Sequence, residues 1–326
     1  MFQSFDLKGA KLMGKKVLFF GDVGIDDAIA LVYARLTEDI DIIGIVADYG
    51  NVSKKETTRN VRFLLKRSGK EYIKVYGGAE KPMTGEIPTY YLDIHGPFGL
   101  GPIDPGLKLE NLENFCDVIN LIEQYKDELI IVNTGRLTSL ATLFILYEDL
   151  MKSVNSYYIM GGAFLYPGNV TPVAEANFHG DPLAANIVMK YVSGAYIFPL
   201  NVTQNAIVTP SMANYIHSKG KTDLVKPLLD YYYFNFYQKK VPGIKGSPVH
   251  DAVTLMAVIR SDLFKFYTSA VVIDSTDVAR GQSIADFRVT DTPEKFDGRP
   301  QQHIAVGLDY EGFYKDFMSI MTGEKF

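Results

Sequence analysis

The sequence predicts one α/β domain, an open and mostly parallel sheet with helices on both faces and a helical lobe over the carboxyl-end edge. Three observations carry that expectation. Short apolar runs alternate with segments of helical spacing, which implies βαβ crossovers and parallel pairing. The runs are apolar throughout, as in strands covered on both faces. No Gly/Ser- or Pro-rich linker and no repeat of fixed period divides the 326 residues. The chain, 1–326, therefore reads as a single unit, with 1–15 as an N-terminal extension.

In chain order, residues 17–20 form the first apolar run. Residues 26–36 read as a helix in which Ile29, Ala30, Val32 and Tyr33 suit a buried stripe. Residues 40–47, rich in β-branched side chains, return to strand, and 52–68 has helical spacing that ends at Gly69. The alternation resumes with strand 129–133 and helix 137–147, then strand 157–160 and helix 182–191, with one more strand at 195–202. Residues 205–250 look mostly helical and are expected to form the lobe. Residues 267–310 add strands, and 311–321 a closing helix. The Gly- and Pro-rich stretches 82–105 and 237–247 are the loop candidates. Long loops at the carboxyl ends of parallel strands are where such sheets bind ligands.

Composition narrows the function classes. A hydrophobic fraction of 47% against 22% charged excludes a disordered chain. The single cysteine, Cys116, excludes an intrachain disulfide. No apolar run reaches the roughly 18 residues that span a bilayer, and the N-terminus has no basic region followed by an apolar core. With 33 basic and 38 acidic side chains the net charge is -5, which argues against nucleic acid as a partner. A nucleoside, which carries no phosphate, stays open.

The segment FFGDVGIDDAIAL, residues 19–31, places Asp22, Asp26 and Asp27 between an apolar strand and a helix start. Capping of the helix accounts for one aspartate well and a second tolerably. A third carboxylate within six positions adds repulsion, unless a cation or hydrogen-bond donors compensate it. Carboxylates favour a hard cation, Ca²⁺ or Mg²⁺. Zinc is disfavoured, because the one Cys and five His show no ligand spacing. An aspartyl-nucleophile phosphoryl transferase would need its nucleophile where Phe20 stands.

Further motifs follow in order. Gly50-Asn51-Val52 precedes Thr58-Arg59-Asn60, and Val75-Tyr76-Gly77-Gly78-Ala79 precedes His95-Gly96-Pro97-Phe98-Gly99-Leu100-Gly101. Thr134-Gly135-Arg136-Leu137-Thr138-Ser139 is followed by Met160-Gly161-Gly162-Ala163 and Gly168-Asn169-Val170-Thr171-Pro172. After these come Ala174-Glu175-Ala176-Asn177, Asp181-Pro182, His250-Asp251-Ala252 and Arg280-Gly281-Gln282. The set resembles the inosine–uridine type nucleoside hydrolases, whose first signature runs approximately D-x-D-P-G-x-D-D-A-x-A. The matching segments extend from residue 17 to about 320.

The resemblance implies a Rossmann-like α/β sheet and Ca²⁺-dependent hydrolysis of the N-glycosidic bond of ribonucleosides. Asp22, Asp27, Asp251 and the carbonyl of Thr134 would hold Ca²⁺. Asp22 would also take the proton of the attacking water. Asp26, Asn51 and Asn177 would bind the 2′- and 3′-hydroxyls, and Asn169 and Glu175 the rest of the ribose. His95 and Met160 would line the substrate site, and His250 would assist the departing base. The implied protein is a cytoplasmic homo-oligomer, dimer or tetramer, acting on a small-molecule ribonucleoside with no membrane partner. Anionic surroundings suit the cation-like sugar of glycosidic cleavage. The sequence departs from the pattern at Phe20 (aspartate in the family), Val23 (proline), Arg136 (proline), Ser139 (asparagine) and Ala176 (phenylalanine). Residues 20, 139 and 176 motivate an alternative, a nucleoside- or ribose-binding protein with little turnover. A metal-dependent phosphatase is disfavoured, because no basic Gly-rich phosphate cradle is present.

Overall fold

The computed structural model describes residues 14–106, 112–289, 296 and 298–326. The proposed extension lies largely outside them, and the first strand already starts at Lys15. The strands are β1 (Lys15–Gly21), β2 (Ile40–Ala47), β3 (Lys74–Gly77), β4 (Ile130–Asn133), β5 (Ser156–Met160), β6 (Tyr196–Phe198), β7 (Ile207–Val208), β8 (Ser247–Pro248), β9 (Phe264–Ile273), β10 (Ser283–Ala285) and β11 (Gln301–Leu308). Nine of them form one sheet in the order β10-β9-β11-β6-β5-β4-β1-β2-β3. From β3 to β11 all neighbours run parallel, and β9 and β10 close that edge antiparallel. The strand order reverses at β1, between β2 and β4. In open α/β sheets the crevice at such a switch point is where ligands bind.

β1 explains the two-sided core. Its side chains alternate between faces, Val17 and Phe19 on one and Leu18 and Phe20 on the other, and all are fully buried. The first face is covered by the helices Ile25–Leu36, His250–Met256 and Tyr310–Thr322, the second by Thr138–Leu146 and Pro182–Tyr191. Residues 205–250 form the expected lobe from the helices Pro210–Lys219 and Val225–Tyr231 and a π-helical turn, Tyr232–Tyr237. The antiparallel pair β7–β8 pins its two ends together. No helix among the described residues is long and apolar enough to cross a membrane.

The parallel α/β architecture is the predicted one, and β2 and the helix Pro182–Tyr191 keep their predicted limits. The strand expected over 195–202 is shorter. It ends at Phe198, because Pro199 has no N–H for the ladder and Leu200 starts a short helix whose first amide donates to Gly162. The sequence reading assigned no strand to β3 and no helix to Val118–Tyr125.

Phe20 occupies the family's first acidic position and lies in the apolar layer with Leu18, Val46 and Leu140. Phe20→Asp would empty that space and bury a carboxylate there. It is predicted to cost at least about 3 kcal/mol of unfolding free energy. Urea denaturation checks this, and an unchanged midpoint would show that the site accepts the acid.

Candidate active site

At the carboxyl ends of β1, β2, β4 and β5 a cavity of about 530 Å³ opens under the lobe. That volume lies in the range of small-molecule sites, roughly 300–1,000 Å³. Of the residues the sequence nominated, Asp26, Asn51, His95, Thr134, Met160, Asn169, Glu175, Asn177, His250 and Asp251 line it. Asp22 and Asp27 lie beneath, fully buried.

Asp27 has the capping role that sequence alone suggests. One carboxylate oxygen accepts the N–H of Gly24 at 2.9 Å, at the start of the helix Ile25–Leu36, and the other accepts the Thr134 hydroxyl at 2.7 Å. Capping does not explain the rest of the cluster. Ligand atoms of Asp26, Asp27 and Asp251 all lie within 4.8 Å of one another, and all three residues are buried. Asp22 stands beside this trio rather than in it. Its Oδ2 accepts the Asn51 N–H and, at 2.8 Å, Nη1 of Arg136. Oδ1 of Asp22 and Oδ1 of Asp26 are buried with no hydrogen-bond partner among the described residues.

Burial, reinforced by neighbouring carboxylates, makes these acids hard to ionise. The pKa of Asp22 is pushed up to about 7 against the pull of Arg136. Asp27 is likewise raised to about 7 by burial and the charge of Asp26. Asp26 and Asp251 move the same way for the same reasons.

The residues expected at the sugar are fixed near the strand ends. Glu175 caps the helix Ala176–Gly180 by accepting the N–H groups of Asn177 and Phe178, and it also accepts that of Gly162 after β5. Asn169 accepts the N–H of Ala176 at 3.0 Å. Asn177 donates to the carbonyls of Thr134 at 2.8 Å and Met160 at 3.1 Å, tying the ends of β4 and β5 together.

The opposite wall comes from the lobe. His250 pairs through Nδ1 with the Thr203 hydroxyl at 2.9 Å and through Nε2 with the Tyr237 hydroxyl at 3.1 Å. Burial pushes its pKa down to about 4, so the ring is neutral at pH 7. Tyr237 reaches on to Tyr232 at 3.4 Å. The wide π-turn brings these two residues, five apart, onto one side, where an α-helix would splay them. His95 has a structural task as well as a place in the cavity wall. Its Nδ1 accepts the N–H of Ile25 at 3.1 Å, and a Cβ at Gly24 would lie 2.5 Å from that nitrogen. Burial lowers its pKa to about 3, leaving a neutral ring with Nε2 as donor.

Residues 17–315 match the inosine-uridine preferring nucleoside hydrolase family. The chain belongs to that family. It is 31% identical to uridine nucleosidase 1 of Arabidopsis thaliana, over 86% of this chain and 85% of that protein. It is 30% identical to the pyrimidine-specific ribonucleoside hydrolase RihA of Citrobacter koseri, over 92% and 96%. Among solved structures, a plant nucleoside hydrolase superposes with a TM-score of 0.87 at 28% identity, covering 95% of this chain and 99% of that one. A purine-preferring ribonucleoside hydrolase from Gardnerella vaginalis gives 0.85 at 26% identity, covering 95% and 98%.

The sequence reading missed three contributors to the site of this nucleoside hydrolase. Arg136 was visible as a departure from the motif, but nothing in the pattern placed its side chain on Asp22. Thr203 and Tyr91 stand in no motif. Tyr91 reaches the site by covering the Arg136 guanidinium, 5.7 Å from its ring centre.

The raised carboxylates set a pH dependence. The metal-free fold keeps protons that the unfolded chain loses near its ordinary carboxylate pKa of 3.8. The stability of metal-free protein is therefore predicted to fall as the pH rises from about 4 to about 7, and then to level off. Asp251→Asn removes one of the repelling charges and should raise the metal-free unfolding free energy at pH 8 by about 1 kcal/mol or more. Urea unfolding in chelator from pH 5 to pH 8 checks both. A loss of stability in the variant would mean that repulsion does not dominate there.

Proposed function

We propose that this ribonucleoside hydrolase cleaves the N-glycosidic bond of ribonucleosides to ribose and free base with Ca²⁺ held in the aspartate cluster. The observation that carries the reading is the buried trio Asp26, Asp27 and Asp251 at the switch point, facing a nucleoside-sized cavity. The donor set fits a hard cation. Its side-chain donors are all oxygens, and two buried carboxylate oxygens, on Asp22 and Asp26, lack partners. Asp22, Asp27, Asp251 and the Thr134 carbonyl would hold the ion. When bound, such a cation lowers the pKa of a water and binds vicinal hydroxyls.

Asp22 takes the proton of the attacking water. With the cation bound its carboxylate would be ionised, and its partnerless Oδ1 is the oxygen free to accept that proton. Asp26, Asn51 and Asn177 orient the sugar at its 2′- and 3′-hydroxyls, and Asn169 and Glu175 take the 5′ end, where Ala176 leaves more room than the family's phenylalanine. The surrounding carboxylates stabilise the cation-like sugar as the bond to the base stretches. His250 supports the departing base. Burial keeps its ring neutral at pH 7, so it stores no proton of its own; it would pass to the base a proton taken from the Tyr237 hydroxyl on Nε2, which solvent then reprotonates. The resemblance also supports a cytoplasmic homo-oligomer acting on free nucleosides.

A panel of purine and pyrimidine ribonucleosides read by release of reducing sugar tests the activity. Turnover should disappear in chelator and return with Ca²⁺. Asp22→Asn should lower kcat by roughly 10²–10⁴ while leaving nucleoside binding within a few-fold. Retention of most activity by that variant would remove Asp22 as the base.

His250→Ala should slow inosine and uridine by roughly 10²–10⁴ and spare p-nitrophenyl riboside, whose phenolate leaves without help. Equal slowing of both substrates would place His250 in support of the fold or the ion site instead.

A further inference from the structure

Arg136 stands where the family has a proline, and it is 2% exposed. A guanidinium is stable at such depth only where acceptors meet it. Here one nitrogen, Nη1, meets three oxygens from three strand ends. They are Oδ2 of Asp22 after β1 at 2.8 Å, Oδ1 of Asn51 after β2 at 3.2 Å, and Oδ1 of Asn177 beyond β5 at 3.0 Å. The ring of Tyr91 covers the guanidinium, and Gly180 leaves room for its stem.

Each bond settles an orientation. The bond to Asp22, with the Asn51 N–H, occupies Oδ2 and leaves Oδ1 as the open oxygen. The bond to Asn51 takes its amide oxygen, so Asn51 presents an NH₂ donor to the cavity it lines. The bond to Asn177 takes its oxygen and turns its NH₂ onto the Thr134 and Met160 carbonyls. We propose that Arg136 is a positioning residue for hydrolysis. It holds Asp22, Asn51 and Asn177 in the orientations that turnover uses, and as a resident cation paired with Asp22, a proposed ligand, it weakens metal binding while it raises kcat. The proposal rests on the reading of the aspartate cluster as a cation site.

The two halves predict opposite signs, which a merely structural residue would not produce. The variants are Arg136→Met, Arg136→Lys and Arg136→Pro. The last is the family's own residue, and the Arg136 amide donates no backbone hydrogen bond among the described residues that proline would remove. Kinetics with uridine and inosine at pH 8 are combined with calorimetric titration of Ca²⁺ into chelator-treated protein. For Arg136→Met and Arg136→Pro, kcat should fall about 10- to 100-fold with KM within about three-fold. Ca²⁺ should bind about ten-fold more tightly, because a cation that repels it is gone. Arg136→Lys, which keeps the charge, should recover part of kcat and hold Ca²⁺ affinity near that of the wild type. An unchanged or raised kcat in the Met and Pro variants overturns the proposal, and so does a joint fall of kcat and Ca²⁺ affinity. If wild-type protein takes up no Ca²⁺, the cation reading fails by itself and kinetics alone decide on Arg136. A kcat loss partly rescued by lysine then supports the positioning role, and no loss removes it.

Discussion

Asp22, Asp26, Asp27, Asp251 and Glu175 share one water-poor volume, and their mutual repulsion is the constraint around which this end of the sheet is built. Three of these carboxylates are met by groups the fold supplies. Asp27 takes a helix amide and a hydroxyl. Glu175 takes three backbone amides. Asp22 takes an amide and a guanidinium. What is left over, on Asp22 and Asp26, is unmet capacity that a metal ion could answer. Such a cluster destabilises a fold, as functional sites commonly do, and the two-sided apolar core through β1 offsets it.

The cavity divides its work between parts of the chain that are far apart in sequence. The loops after the sheet strands supply Asp26, Asn51, Glu175 and Asn177 on one side. The lobe supplies Tyr232, Phe236, Tyr237 and His250 on the other. These walls answer to different physical demands. The sheet-side wall depends on strand register and backbone amides, whereas the lobe wall depends on helix packing and on one wide turn. The two walls meet at the helix His250–Met256, where His250 belongs to the lobe side and Asp251 to the acidic cluster.

Much of this was legible in the sequence, for identifiable reasons. Alternation of apolar runs with helical spacing is a local signal, and it located β1, β2, β4 and β5 and the helices Ile25–Leu36, Lys54–Ser68 and Thr138–Leu146. The excess of aspartates after β1 could be read as more than capping, because three like charges within six residues need an external partner. The motifs carried His95 and Asn177 into the site, but not their double duties. A helix amide ends on Nδ1 of His95, and the Asn177 amide bridges two strand ends. β3 was missed because only Val75 and Tyr76 of its four residues are buried and apolar, whereas the equally short β4 continues an apolar run from Leu129. The end of β6 was misjudged because Pro199 interrupts an apolar run that reads as continuous. The partners of Arg136 could not be foreseen, since they lie 114, 85 and 41 residues away in sequence.

The stem of Arg136 passes over Gly180 so closely that a Cβ there would lie 2.7 Å from Nε and 2.9 Å from Cγ. That part of the side chain has no freedom to yield, since its far end is held by three oxygens and covered by Tyr91. The two positions are therefore coupled. While arginine stands at 136, any side chain at 180 would take the space its stem occupies, whereas a residue without that stem would leave position 180 open to a larger neighbour.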